Sequence, residues 1–295
     1  MSYECRVFRN TDPAAPITTL KRELGEVYAI LKTCLCTGYG DKASLGWELV
    51  YDAFPTTGEY KIAVKPMHSH NLGNGGAVWE FWEKNTNYGI QLYINAYDGY
   101  NPEGTAAKIM PEYYLCNTYT TGRNWRIIGD GACFYFLAET AVPNAPMRSI
   151  FSFFGELSNC AGDLFSSTIA NNIITNTYNA GYYSPENIFQ SDGRHIFAPI
   201  NICAIYRANN NQNSWRVPIN KGRVWQRMPW YHAAKARTGT ADLVYLPGFC
   251  YSHDSPAFDS PAIVEELDGR MIGAFSAEYL YWIDTQSWRK LPWEL

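Results

Sequence analysis

Trp125-Arg126-Ile127-Ile128-Gly129-Asp130-Gly131-Ala132-Cys133-Phe134-Tyr135-Phe136-Leu137 reads as two β-prone runs joined by a turn. Asp-Gly supplies the positive φ values that a tight reversal demands, and the aromatic and branched flanks suit a pleated surface, so the stretch predicts an antiparallel hairpin. The same pattern recurs outward from it. Residues 60–64, 78–83, 90–97 and 113–119 are short β-prone runs punctuated by Gly, Asn and Pro, and Ile150-Phe151-Ser152-Phe153-Phe154-Gly155-Glu156-Leu157 is a further one. Residues 196–206, 241–245, a hairpin over 263–272 and a run over 279–283 resume it. The expected fold is mainly β, an antiparallel sandwich or barrel-like arrangement.

One segment breaks the two-residue period. Leu20, Leu24, Val27, Tyr28, Leu31 and Leu35 recur at three- and four-residue steps, with Lys21, Arg22, Glu23 and Glu26 on the other side. That spacing predicts an amphipathic helix near 18–36, capped by Thr18 or Thr19 and ended by Gly38. Residues 1–17, interrupted by Pro13 and Pro16, predict an extended arm, strapped to its own domain or donated to a neighbour. Val7, Phe8, Arg9 and Ile17 are its candidate interface residues, because the apolar ones need cover that a neighbour can provide. The chain then divides into a helix plus β-rich domain over 18–165, a polar Asn- and Tyr-rich linker or surface excursion over 166–194, and a second β-rich unit over 195–295.

Composition bounds the function. The 295 residues are 46% hydrophobic, 18% charged and 16% aromatic, enough to bury a sizeable core. A net charge of -4 and a longest basic cluster of only Lys235-Ala236-Arg237 argue against nucleic acid as a partner. No apolar run is long enough to span a bilayer, and Met1-Ser2-Tyr3-Glu4-Cys5-Arg6 does not read as a secretory signal, so synthesis in a cytoplasm without membrane insertion is expected. Cys5, Cys34, Cys36, Cys116, Cys133, Cys160, Cys203 and Cys250 lie in apolar or aromatic surroundings and read as free, mostly buried thiols.

Each group that invites chemistry has a plainer reading. His68-Ser69-His70 places two imidazoles on one side of a strand, yet nothing nearby completes a metal site, so both read as loop histidines. Cys34-Leu35-Cys36 lacks the spacing of a redox or zinc motif and reads as helix-end packing. Asp130 with Glu139, Glu265-Glu266 with Asp268, and Asp254 with Asp259 are the available carboxylate groupings, and read as hairpin tips and solvated faces. His253 with Cys250, or His232, lacks a nucleophile signature, and Gly73-Asn74-Gly75-Gly76 lacks the Lys-Ser/Thr of a phosphate loop. No catalytic residue, cofactor or metal is expected, and the chain is not expected to be an enzyme.

Arg9-x-Thr11-Asp12-x-x-x-Pro16, a helix, Gly38-Tyr39-Gly40-Asp41-Lys42, Gly46-Trp47, Trp125-Arg126-Ile127-Ile128, Phe134-Tyr135-Phe136 and Phe153-Phe154-Gly155-Glu156 follow one another in order. That order resembles a family of virion-associated proteins of tailed bacteriophages. The likeness covers about the first 165 residues, with looser matches over 223–245 and 279–288. It implies a structural component of the tail, baseplate or tail tip, located in the virion and assembling with other virion proteins and with copies of itself. It brings no catalytic residue. An alternative is a carbohydrate-binding host-attachment protein, a tail fibre or spike, with Trp79, Trp82, Tyr97 and Tyr100 stacking on a host surface glycan beside Asn95 and Asp98. A third is a hydrolase of surface polysaccharide, which needs a cleft of convergent acids.

Overall fold

The computed structural model describes residues 4–21, 23–53, 58–66, 77–87, 89–101, 107–108, 113–116, 124–140, 148–159, 164–174, 189–190, 196–197, 226–227, 230–231, 243–245, 247–252, 263–275 and 280–288. Among them the elements are, in chain order, β1 (Arg6–Arg9), α1 (Glu26–Lys32) continued by a π-helical turn (Thr33–Thr37), β2 (Glu48–Ala53), β3 (Glu59–Lys65), β4 (Ala77–Thr86), β5 (Gly89–Asp98), β6 (Ala107–Lys108), β7 (Tyr113–Cys116), β8 (Trp125–Gly129), β9 (Cys133–Thr140), β10 (Arg148–Asn159), β11 (Leu164–Ile174), β12 (Phe189–Gln190), β13 (Ile196–Phe197), β14 (Gln226–Arg227), β15 (Trp230–Tyr231), β16 (Leu243–Tyr245), β17 (Phe249–Ser252), β18 (Ile263–Glu266), β19 (Met271–Phe275) and β20 (Leu280–Asp284). The chain is mainly β, and every strand pairing among the described residues is antiparallel.

The strands form three sheets and the small β12-β13 pair. A seven-stranded sheet runs β1-β8-β9-β10-β16-β15 with β11 also on β10, a six-stranded sheet runs β2-β3-β4-β5-β6 with β7 also on β5, and a five-stranded sheet runs β14-β17-β20-β19-β18. The predicted hairpin is β8-β9, at the centre of the first, with Ile127 opposite Phe136 and Ile128 opposite Tyr135. Alternation gives these strands two different faces. Phe8, Ile127, Phe134, Phe136 and Phe154 face the six-stranded sheet and share one core with its Ile62, Val64, Trp79, Phe81 and Ile94. The ring centroids of Phe81 and Phe154 lie 5.2 Å apart, edge to face. This half of the molecule is the expected sandwich.

The opposite face of β8-β9-β10 is buried as well. Tyr135 packs its ring edge-on against Trp288 at 5.7 Å and donates its hydroxyl to the Pro247 carbonyl at 3.0 Å, and β18 and β19 approach β9 and β10. A sheet covered on both faces needs nearly continuous apolar strands, which accounts for the unbroken run over 133–138. Because β16 and β15 extend the same sheet as β1, the hydrogen-bonded sheet crosses the boundaries expected at 165 and 195. Residues 164–174, assigned to the end of the first domain and the start of a polar linker, form β11 on β10. Residues 175–188 lie outside the described ones.

One expectation about the N-terminal region is corrected. The helix begins at Glu26, not near 18, because Gly25 sits at φ 91 and breaks the helical path. Leu20, Val27, Leu31 and Leu35 are still buried together, so the apolar stripe was real although its first turn is not helical. Gly38 does end the helical segment, at φ 78, and its N–H donates to the Thr33 carbonyl at 2.7 Å. The carbonyls of Cys34 and Leu35 accept the N–H groups of Leu45 and Trp47, so the glycine-rich loop folds back over the helix end. Within the segment expected as an extended arm, residues 6–9 are an edge strand paired with β8, and Phe8 is covered by this chain's own core. Its prolines fall after the strand, where no ladder N–H is needed.

Candidate functional site

The two blocks read separately as 9–12 and 38–42 meet in one joint. The Asp12 Oδ2 accepts hydrogen bonds from the Arg9 N–H at 2.8 Å, the Tyr39 hydroxyl at 2.7 Å and the Lys42 ammonium at 2.6 Å. Lys42 also donates to the Val7 carbonyl at 2.9 Å, and the Phe8 and Tyr39 rings lie 5.7 Å apart. Burial works to raise the Asp12 carboxyl, but the bonds from Lys42, Tyr39 and Arg9 outweigh it and hold its pKa below the ordinary value. Burial and the Asp12 carboxylate push the Tyr39 hydroxyl up, so it stays protonated as a donor. The joint clasps strand β1 to the loop after α1.

Beside it a polar chain ties four distant segments together. Arg126 donates to Asn10 Oδ1 at 2.5 Å, Asn10 donates to Asn124 at 2.9 Å, Asn124 donates to Glu139 at 2.8 Å, and Glu139 accepts the Ile263 N–H at 3.3 Å. Arg9 and Arg126 both bind the carboxylate of Glu265, at 2.9 and 2.6 Å. Asp130, read as a hairpin tip in water, is only 2% exposed. Its Oδ1 accepts the N–H groups of Ala132 and Cys133, its Oδ2 accepts the Trp288 indole at 2.7 Å, and its carbonyl accepts the Trp47 indole at 3.0 Å. Asp130 and Glu139 are thus buried hydrogen-bond acceptors, a correction to the solvated reading, whereas Asp268, exposed in the turn between β18 and β19, follows it. The signal that sequence reasoning missed was the indole-rich context of Trp47 and Trp288, each with an N–H to place when buried.

The outer face of the six-stranded sheet carries the other constellation. Glu80, 3% exposed, accepts from Asn95 at 2.9 Å, Tyr97 at 3.3 Å and Tyr100 at 2.8 Å, and pairs with Lys61 at 3.3 Å. Burial, then the bond to Glu80, raises the Tyr100 hydroxyl. One row along, Trp82 and Tyr93 stand as cross-strand partners with rings 6.4 Å apart, and the Lys61 and Lys84 ammonium groups lie 4.0 and 3.0 Å from the Trp82 ring centroid. Trp82, Tyr97 and Tyr100 therefore share a face as a stacking platform requires, but Trp79 does not. The two-residue period turns Trp79 inward against Phe154, 6.0 Å away, where no sugar reaches it. Asn95 and Tyr97 are buried under the same face.

Of the arm's candidate contacts, Phe8 is core, Ile17 packs against that core, and Arg9 is committed to Glu265. Val7 is half-buried, its carbonyl taken by Lys42. Cys5 is half-buried and Cys133 buried, Cys34 and Cys36 are free thiols, and burial pushes Cys36 up to about 12 and Cys34 well above its ordinary value. His68, His70, the glycines at 73–76, Cys160, Cys203, His232, His253, Asp254 and Asp259 lie outside the described residues, as do the side chains of Cys116 and Cys250. Among the described residues no cluster of three or more His, Cys, Asp or Glu could hold a metal ion, and no helix is long and apolar enough to cross a membrane.

Comparison of the chain with protein-family models, with curated proteins and with solved structures gave no match.

Proposed function

We propose that this chain is a structural component of a tailed-bacteriophage virion, in the tail, baseplate or tail tip, that acts by assembly with other virion proteins and with copies of itself. The observation that carries the reading is where the resembling blocks go. Arg9 to Asp12 and Tyr39 to Lys42 meet in the joint that clasps β1 to the loop after α1, while Trp47, the β8-β9 hairpin and Phe154 pack in the core between two sheets. A family held together by such blocks has a scaffold in common, as an assembly part requires. Mass spectrometry of purified particles together with an electron-microscopy map tests the reading: the chain is expected at a fixed copy number on a symmetry axis. Its absence from particles overturns the proposal.

A glycan-binding role in host attachment is the second reading, favoured by the partly exposed Trp82–Tyr93 pair. Trp82→Ala abolishing retention on a host-glycan array, with the thermal midpoint unchanged, would favour it; no retention of the wild-type chain would remove it.

A further inference from the structure

Glu83 projects from β4 on the same face as Trp79 and Phe81, into the core, and is 1% exposed. Its carboxyl oxygens accept the N–H groups of Val27 at 3.3 Å and Tyr28 at 2.8 Å, the first turn of α1. It supplies from another element the cap that Gly25, without a side chain, cannot. A second buried carboxyl lies in the same turn: Glu26 bends back to accept the Lys21 N–H at 2.9 Å and the Glu23 N–H at 3.0 Å. Neither acid is in an ion pair among the described residues.

Among the described residues, the charged groups on the surrounding elements are engaged elsewhere or exposed. On α1, Lys32 pairs with Asp52 of β2 at 2.5 Å and the Tyr28 hydroxyl bonds the same carboxylate. Ahead of the helix, Lys21 and Glu23 are exposed. On β3, Tyr60 packs its ring on Tyr28 at 5.3 Å, Lys61 is held by Glu80 on the opposite face, and Glu59 accepts the Trp82 indole. On β4 itself Lys84 lies over Trp82, again on the opposite face, and the β5 residue opposite Glu83 is Leu92.

We propose that Glu83 is a proton-operated latch: protonated, it keeps the first turn of α1 and residues 23–25 docked on the six-stranded sheet, and its ionisation loosens them so that the carboxylate can hydrate. The device is independent of the virion reading. Burial dominates and the negative charge of Glu26 adds to it, while the backbone N–H groups offset part, leaving the Glu83 carboxyl at about 7. Opening returns it to the ordinary carboxylate range near 4.3. The docked state therefore binds the proton more tightly, and docking is strongest below that range. The opening constant rises by about tenfold per pH unit between there and neutrality and then levels off.

Amide hydrogen exchange of the full chain, corrected for the intrinsic pH dependence of exchange and read over residues 26–35, tests this. The expected result is that rise in the wild type, a flat profile in Glu83→Gln, and a rise that levels off at lower pH in Glu26→Gln, where the like charge is gone. A pH-independent opening constant in the wild type, or an undiminished slope in Glu83→Gln, overturns the proposal. Should Glu83→Gln fail to fold, carbon-13 NMR titration of the wild-type Glu83 carboxyl decides: a midpoint near neutrality supports the latch, and an ordinary acidic midpoint overturns it.

Discussion

Arg9 and Arg126 stand directly opposite each other on adjacent strands and share one carboxylate, that of Glu265. Like charges opposed across a ladder repel, so this pair is tolerable only while the five-stranded sheet brings Glu265 between them. The docking of the C-terminal strands and the pairing of β1 are thereby coupled.

Glu265→Gln is expected to destabilise the fold by about 2–3 kcal/mol, since it leaves two partly buried guanidinium groups face to face. Adding Arg9→Gln should recover part of that loss. A double-mutant cycle in urea measures the coupling, and strictly additive losses would contradict it.

Asp12→Asn should cost about 1–3 kcal/mol at neutral pH, because a neutral amide removes the negative charge opposite the Lys42 ammonium and weakens the acceptor that holds three donors. Asp12 has a folded pKa below its unfolded value, so its contribution is present above the unfolded pKa near 3.9 and is lost as pH falls through the folded one. The wild-type and variant urea midpoints should therefore converge on acidification toward pH 3.

Deletion of residues 2–16 should abolish soluble expression. Phe8 lies inside the core and the Asp12 clasp holds β1 to the loop after α1, and the shortened chain would lose both. A deletion of residues 2–4, ahead of β1, should leave the thermal midpoint within a few degrees of the wild type.

Gly155→Ala should unfold the protein or cost several kcal/mol, because its Cβ would lie 2.3 Å from the Ala132 carbonyl oxygen at a backbone φ of +113°. Gly99→Ala, also at positive φ but with open space around it, should cost only about 1 kcal/mol. Thermal unfolding of both separates crowding from conformational strain.

Trp288→Phe keeps an aromatic ring against Tyr135 but removes the indole N–H from the buried Asp130 carboxylate. A loss of about 1–3 kcal/mol is expected. An unchanged midpoint in chemical denaturation would show that the N–H bond contributes nothing.

How far the sequence could be read follows from which forces are local. The β8-β9 hairpin was legible because Asp-Gly and alternating apolar residues act over neighbouring positions, and the 267–270 turn was legible for the same reason. The helical stripe was visible, but its start was not: Gly25 in a left-handed conformation breaks it, and the cap comes from Glu83 on β4. Trp79 and Trp82 look alike in sequence, and only their alternation on a paired strand puts one in the core and the other on the outer face.

By itself the sequence determined that this protein is mainly β, where its strongest strands and turns lie, and that an apolar stripe near residues 20–35 must be buried, since periodicity and turn chemistry need no distant partner. Tertiary structure alone decided that Asp130 and Glu139 are interior acceptors, that Phe8 belongs to the core, and that Arg9 and Arg126 meet over Glu265. Each of these depends on groups more than a hundred residues apart, brought together by packing two sheet faces, and no local pattern encodes which carboxylate will meet which donor.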